Sequence, residues 1–312
     1  MADPSVTPCL CPQNMTDLPL LAVPNVSEGR ESPQIAGIAE AFAAHGRLRL
    51  LDLHSDADHH RSVFTLAGVQ GEMSSALLAG ARAAVERVDV GPDRHPEDIG
   101  EHPHVGAVDV MPIVYLDATQ KGAACAEALV VANEIGERLG VPVFLYGELA
   151  RGRTRAELRR GGVRGLAARL SSGELRPDFG PPRLHPSAGA TLVAAREPLV
   201  AFNLELAAPA GVAQARHIAS LIREGGPEGL TGVRAIGVGL RTGKVGQVSM
   251  NVESPSEVPL RAVVEAVRRH AEVACAELVG LAPRRALAGF PEEVEIVGFD
   301  PGTQVIENAL GF

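Results

Sequence analysis

The chain has 312 residues, long enough for two cores of roughly 150 residues each, and its 46% hydrophobic and 21% charged residues are the balance of an ordinary globular protein. A net charge of −9 argues against any broad nucleic-acid or membrane-surface role, and 3% aromatic residues with no Trp leave too few stacking platforms for a single-stranded nucleic-acid binder. Cys9, Cys11, Cys125 and Cys275 form neither a disulfide framework nor a metal knuckle. No apolar run approaches the roughly 18–20 residues of a membrane span, and the acidic, Pro-rich start is no signal peptide, so a reducing, cytoplasmic setting is expected.

Residues 1–17 mix Pro, Cys, Asn and Thr without period and read as a poorly ordered leader. A short strand is expected over 18–23, then a turn and helix start through Pro24, Asn25, Ser27 and Gly29. Ile35, Ile38, Ala39 and Phe42 keep helical spacing. A strand over 48–53 runs into a polar loop, residues 54–61, followed by a strand over 62–68 and an Ala-rich helix over 73–88. After a loop holding Pro92, Arg94, His95, Pro96 and Asp98, the chain becomes extended again beyond His102, where Val108, Val110 and Pro112 share one side.

That order, β-α-β-β-α-β, is the ferredoxin-like split pattern, an antiparallel sheet with its helices on one face. A helix over 125–139, a strand over 141–147 and one or two exposed amphipathic helices over 151–172 come next. Residues 173–189 hold four prolines and three glycines, a structured loop long enough to expect function. From residue 199 a second series repeats the order: strand, helix 212–223, a hairpin pairing 233–240 with 245–252 around Thr242-Gly243, helix 258–272 and strand 273–281. The fold class is therefore α+β, two ferredoxin-like units over 18–196 and 197–312, sharing element order without obvious residue identity.

Three clusters can carry chemistry. Gly100-Glu101-His102-Pro103-His104 puts a near-neutral base at a strand start, with Glu101 and Asp109 as carboxylates to orient the ring; its bland alternative is an ordinary strand-edge histidine. His102 and His104, with Asp58, His59 and His60, permit a metal reading, but Pro103 distorts the pair and no metal is expected. The loop from His54 to Arg61 is either a solvated turn or a substrate loop in which Arg61 clamps a carboxylate. The run Gly180, Pro181, Pro182, Arg183, Leu184, His185, Pro186, Ser187, Ala188 and Gly189 is either a rigid connector or a wall for a flat ligand, with Gly180 and Gly189 permitting close backbone approach. Apart from Lys121 and Lys244 every basic residue is Arg, which suits carboxylate clamping, although genomic bias accounts for it equally simply.

Ordered blocks across both halves resemble the formiminotransferase family. They are Val23-Pro24-Asn25-Val26-Ser27-Glu28-Gly29-Arg30, Gly100-Glu101-His102-Pro103, Gly106-Ala107-Val108-Asp109-Val110, Val141-Pro142-Val143-Phe144-Leu145-Tyr146-Gly147-Glu148 and Pro177-Asp178-Phe179-Gly180-Pro181. Leu199-Val200-Ala201-Phe202-Asn203-Leu204, Gln247-Val248-Ser249 with Asn251, and Leu278-Val279-Gly280-Leu281 extend the match to about residue 290.

The resemblance implies a glutamate formimidoyltransferase activity: transfer of a formimino group from N-formimino-L-glutamate to N5 of tetrahydrofolate, in histidine breakdown, by a homodimer whose paired subdomains enclose a folate tunnel. It implies that His102 is the catalytic base, that residues 180–189 are the folate loop, and that Arg61, His54 and Asn25 meet the substrate. No cyclodeaminase domain is expected. Three positions depart from the family's pattern. His54 stands where the family carries an acidic residue, the loop before Gly100 is longer, and Ala188 stands where many members have an aromatic residue. These departures motivate two alternatives, a related transfer or hydrolysis on an N-acyl glutamate such as N-formylglutamate, and a non-catalytic folate binder.

Overall fold

A computed structural model of the chain describes residues 18–44, 46–91, 103–240 and 245–312. The expected leader, residues 1–17, the segment 92–102 with Glu101 and His102, and the hairpin turn at Thr242-Gly243 lie outside the described residues.

The first unit begins with β1 (Leu20–Ala22) and β2 (Asn25–Val26), followed by α1 (Ser32–Ala43), β3 (Leu48–Asp56), β4 (Arg61–Gly68), α2 (Ser74–Arg87) and β5 (Val108–Val114). β1 and β2 are one strand interrupted around Pro24, which has no N–H to give a ladder; both halves pair antiparallel with β4 and with β5. Counted as one strand, they give the order β3-β4-β1/β2-β5, antiparallel throughout, with β3 joined to β4. This is the ferredoxin-like arrangement expected from the element order.

The sheet then grows. α3 (Lys121–Leu139), β6 (Val143–Leu145), α4 (Arg155–Arg159), α5 (Gly162–Ser171) and β7 (Thr191–Arg196) follow, with β7 parallel to β5 and β6 parallel to β7. Residues on β5 alternate between two buried faces. Met111 and Ile113 enter a core with Phe42 of α1, Leu77 of α2 and Ile135 of α3. Val110 faces the other way, in a cluster with Leu158, Leu166 and Leu170 of α4 and α5. The stretch 151–172, expected as exposed, is therefore two helices whose leucines are buried. They cover the second face of the extension, while α1, α2 and α3 keep to the first.

The second unit is β8 (Val200–Leu206), α6 (Val212–Ile222), β9 (Val233–Gly239), β10 (Gly246–Val252), α7 (Leu260–Arg268) and β11 (Val273–Val279), in the antiparallel order β11-β8-β10-β9. Phe202, Leu204, Val248 and Met250 meet Ile218, Ile222, Val263 and Val267 on the helical side. Past β11 the chain folds back. α8 (Pro301–Gln304) leads into α9 (Ile306–Leu310), and Ile306 and Leu310 pack on Leu21, Ala67 and Val114 of the first sheet. The helix-free faces of both sheets wall a common cleft.

Candidate active site between the sheets

The polar stretch 54–61 is largely strand. His54, Ser55 and Asp56 belong to β3, Arg61 opens β4, and the register sets His54 opposite Val63 and Asp56 opposite Arg61. The short turn between them is built on Asp56, whose Oδ1 accepts from the N–H groups of Asp58 (2.7 Å) and His59 (2.8 Å). Gly29 lets the segment after β2 lie against this hairpin, because a Cβ there would overlap the Asp56 carbonyl and the Arg61 nitrogen. Ser62 Oγ donates to the Glu28 carbonyl at 2.6 Å and Gly29 N–H to His60 Nδ1 at 3.1 Å. The result brings two predicted site residues together, with the Arg61 guanidinium donating to Asn25 Oδ1.

Asn25, His54 and Arg61 all line the cleft, which encloses about 1040 Å³ counting its mouth. Asp56, His59 and Thr65 of the first sheet's hairpin, Arg155 of α4, Arg196 at the end of β7, and Asn203, Ser249 and Asn251 of the second sheet complete its polar lining; Val63, Val110, Val114 and Leu199 supply apolar wall. Burial, with repulsion from Arg159 and Arg155 outweighing the pull of Asp109, pushes Arg61 down to about 9. Burial likewise pushes Arg196 down to about 10, against a favourable Tyr146 and with Arg155 repelling. A guanidinium does not lose its proton in a protein at neutral pH, so both stay charged at a desolvation cost that a nearby anion lowers. Asp109 lowers it for Arg61. Burial opposes its charge, yet Arg159 and Arg61 hold its carboxyl below the ordinary range. Its Oδ2 accepts from Arg159, and its Oδ1 accepts from Val105 N–H at 2.8 Å. Val105 and Arg159 thus engage both oxygens of Asp109. Arg155 meets Glu253 at 3.5 Å and stands 5.8 Å from the Tyr146 ring centre.

At another part of the lining, His54 Nε2 lies 3.4 Å from Glu277 Oε1 on β11, and Asn203 Nδ2 donates to Glu277 Oε2 at 2.7 Å. Burial works against a charged His54, but the bond and charge of Glu277, with Asp52 and Asp56, raise it above its ordinary value. Glu277 is lowered, chiefly by His54 and then Asn203 against the opposing effect of burial. His59 Nε2 and Gln247 Oε1, 3.2 Å apart, join the hairpin to β10. Residue types alone did not single out Glu277, Arg155, Arg159 or Arg196 as site residues. The alternation of Ala201, Asn203 and Glu205 on β8 is the signal that placed a polar face there.

A wider hollow of about 2790 Å³ shares Arg155, Arg196, Leu199, Ser249 and Asn251 with the cleft; Pro103, the residue after His102, is part of its wall. The loop 180–189 lines neither space. Its glycines approach protein, not a ligand cradle: Gly180 (φ +79°) lies against Gly136 of α3, and Gly189 (φ +65°) against the Val105 carbonyl. Pro182, Arg183 and Pro186 are exposed, while Ala188 is buried in the first core. Pro181, Leu184, His185 and Ser187 are half-buried. The loop holds both flanks of the segment carrying His102. Val90 N–H donates to Ser187 O (2.7 Å) and Ala107 N–H to Ala188 O (2.9 Å). Among the described residues no group of three or more His, Cys, Asp or Glu is placed to hold a metal ion.

Two ferredoxin-like units enclosing a guanidinium-rich cleft define a scaffold for small anionic molecules. The formiminotransferase domain, N-terminal subdomain, matches residues 20–196, and the formiminotransferase domain matches residues 201–291. The chain is 36% identical over 299 residues to a glutamate formimidoyltransferase of Streptococcus pyogenes serotype M1, covering 92% of this chain and 97% of that one. It is 33% identical over 291 residues to a glutamate formimidoyltransferase of Thermoplasma acidophilum, covering 90% and 93%. A formimidoyltransferase-cyclodeaminase of Gallus gallus is 37% identical over 278 residues, covering 85% of this chain and 50% of that one. The chain belongs to the formiminotransferase family, a family of one-carbon-group transferases.

Proposed function

We propose that this enzyme transfers the formimino group of N-formimino-L-glutamate to N5 of tetrahydrofolate in the cleft between the two sheets, with His102 as general base. The observation that supports this most is the charge excess of the cleft. Arg61, Arg155 and Arg196 face one space, and burial together with their mutual repulsion lowers Arg61 and Arg196, so an anion entering there is favoured. A donor bearing two carboxylates is such an anion, and bidentate guanidinium contacts fix its orientation. The adjoining hollow is large enough for a second, flat substrate, and the chain passes into its wall at Pro103, one residue from His102. N5 of the pterin must attack the amidine carbon and lose a proton, for which a near-neutral imidazole is suited. In this reading residues 180–189 are the folate loop and also brace the segment that carries His102, and the two subdomains of the chain divide near Arg196, giving units 18–196 and 197–312. The same reading has the protein working in the cytoplasm as a homodimer, which light scattering would test; no helix among the described residues is long and apolar enough to cross a membrane.

The test is turnover with N-formimino- and N-formyl-L-glutamate, each with and without tetrahydrofolate. Formimino transfer that requires tetrahydrofolate and disappears in a folded His102→Ala variant is expected. Transfer at the wild-type rate by that variant would remove His102 from the mechanism. Folate-independent turnover of the formyl compound would favour hydrolysis, and tight folate binding without any product would favour a binder.

A further inference from the structure

The cationic groups of the cleft explain how carboxylates are held, but an N-formimino donor carries a third charge. Its amidine is protonated at neutral pH, so the reacting end is a cation, whereas the formyl analogue ends in a neutral amide. Asp56, a carboxylate of the lining, has its Oδ1 engaged by the hairpin turn, so a cation in a cleft lined by Arg61, Arg155 and Arg196 needs a further carboxylate.

Glu277 is placed for that. It projects from β11 beside two residues that line the cleft, bound to Asn203 Nδ2 at 2.7 Å and 3.4 Å from His54 Nε2, and 29% of its side chain remains open to solvent. The spacing also fits. His54 is opposite Val63 and Arg61 lies two residues further along β4, about 7 Å at the usual strand rise. A glutamate-length molecule whose carboxylate meets Arg61 therefore reaches the neighbourhood of His54 and Glu277 with its amidine. Resting on the donor assignment above, we infer that Glu277 is the specificity-determining carboxylate that receives the cationic amidine, and that it selects a formimino donor over a formyl donor.

His54 makes this recognition a proton exchange. Where His54 carries its proton, Glu277 Oε1 faces an imidazolium at 3.4 Å; an arriving amidinium replaces that charge, and the proton is released to solvent. The charged and titratable groups around His54 are Asp52 and Asp56 on its own strand, Glu277 from β11, and His59, whose charge also acts on Glu277 from the hairpin turn. The two aspartates favour the proton; the amidinium opposes it. Two N–H groups of an amidine match two carboxylate oxygens as a guanidinium does, a charged pairing that the neutral formyl end does not offer.

The experiment is titration calorimetry of the full chain with N-formimino-L-glutamate and N-formyl-L-glutamate, in two buffers of different ionisation heat. Wild type is expected to prefer the formimino donor and to release a proton on binding it, with no release on binding the formyl compound. Glu277→Gln should lose at least tenfold in affinity for the formimino donor while its affinity for the formyl compound and for tetrahydrofolate stays within twofold, so that the preference collapses. His54→Asn should retain the preference and abolish the proton release. A Glu277→Gln variant that keeps the preference overturns the inference and leaves the transferase reading standing. Equal loss of both donors and of tetrahydrofolate overturns it in favour of a structural role. Wild-type protein that binds neither donor overturns both the inference and the reading on which it rests.

Discussion

Arg61 is expensive to hold, and an anion that reaches it lowers the cost. Burial and the neighbouring Arg159 and Arg155 destabilise its charge, against the pull of Asp109 and a bond to Asn25. Such a residue trades stability for binding. Arg61→Met is expected to raise KM for the glutamate donor by an amount equivalent to about 2–4 kcal/mol, with a thermal midpoint no lower than wild type. Steady-state kinetics with a thermal melt check this, and a midpoint several degrees lower would make Arg61 a structural residue. The His54–Glu277 pair has the opposite character. A raised imidazole contributes stability that is complete below its unfolded value of 6.5 and is lost as pH rises through its folded value. A lowered carboxyl contributes above its unfolded value of 4.5 and loses that contribution as pH falls through its folded value. The pair therefore helps most between 4.5 and 6.5. Urea unfolding of His54→Asn should show its largest deficit from wild type there, at most about 1 kcal/mol because both groups keep some solvent contact, shrinking toward pH 9. A deficit that grows with pH would mean that the imidazole is not charged in the folded state.

Among the secondary-structure elements, two junctions carry the first unit. Glu127 on α3 is buried, and its carboxylate accepts from Gly71 N–H at 2.7 Å and Met73 N–H at 3.1 Å, at the start of α2. Met73 in the cap position supplies no side-chain bond of its own, so a neighbouring helix does the capping. Glu127→Ala should destabilise by about 1–3 kcal/mol, and Glu127→Gln by less, in denaturant titrations with an unchanged m-value; a neutral Ala variant would show that water caps α2 equally well. The strand β5 begins where Gly106 pairs with Gly189, and a Cβ on Gly106 would overlap the Ala190 carbonyl. Sequence periodicity made these elements readable. The alternation in β5, the 3.6-residue spacing in α1 and the αL stop at Gly140 after α3 all follow from local rules. What periodicity missed is long-range. The stretch 54–56 looks like a polar loop because Asp, His and Ser are poor strand formers, yet pairing with an apolar β4 across a hairpin overrides local preference. The leucine spacing of α4 and α5 announced amphipathic helices, but nothing local announces that Phe144 and Leu192 are what their leucines cover. Of the residues that line the cleft, Asn25 stood in a motif block and His54 and Arg61 in the polar stretch between two strands, whereas Glu277 comes from a strand more than two hundred residues away and Arg196 reads only as the end of a strand.

On the scale of the whole molecule, the cleft exists because two sheets carry their main helices on one face each, while α4, α5 and α9 cover only part of the first sheet's other face. Such a pair would close, or part, unless something spaces it. His59 and Gln247 span it by a polar contact, but the apolar fastening is the returning tail: Ile306 N–H donates to Ala282 O at 3.0 Å, and Ile306 and Leu310 pack on Leu21, Ala67 and Val114 of the first sheet. The last helix thus carries the second unit's chain onto the first unit's sheet, and Ile306 is itself part of the cleft wall. Leu310 lies outside that wall, so it reports on fastening separately from ligand contact. Leu310→Asp places a charge against apolar side chains without a partner, a change that ordinarily costs several kcal/mol. Its effect should fall on the coupling between units more than on either core, since the main cores of both contain neither Leu310 nor its contacts. Calorimetric unfolding of wild type is expected to be one cooperative transition, and of Leu310→Asp two, the separation appearing with a loss of donor affinity because Arg61 and Asn203 no longer face each other at a fixed distance. A single transition merely shifted to lower temperature, with donor affinity intact, would show that the tail stabilises the protein without setting the width of the cleft.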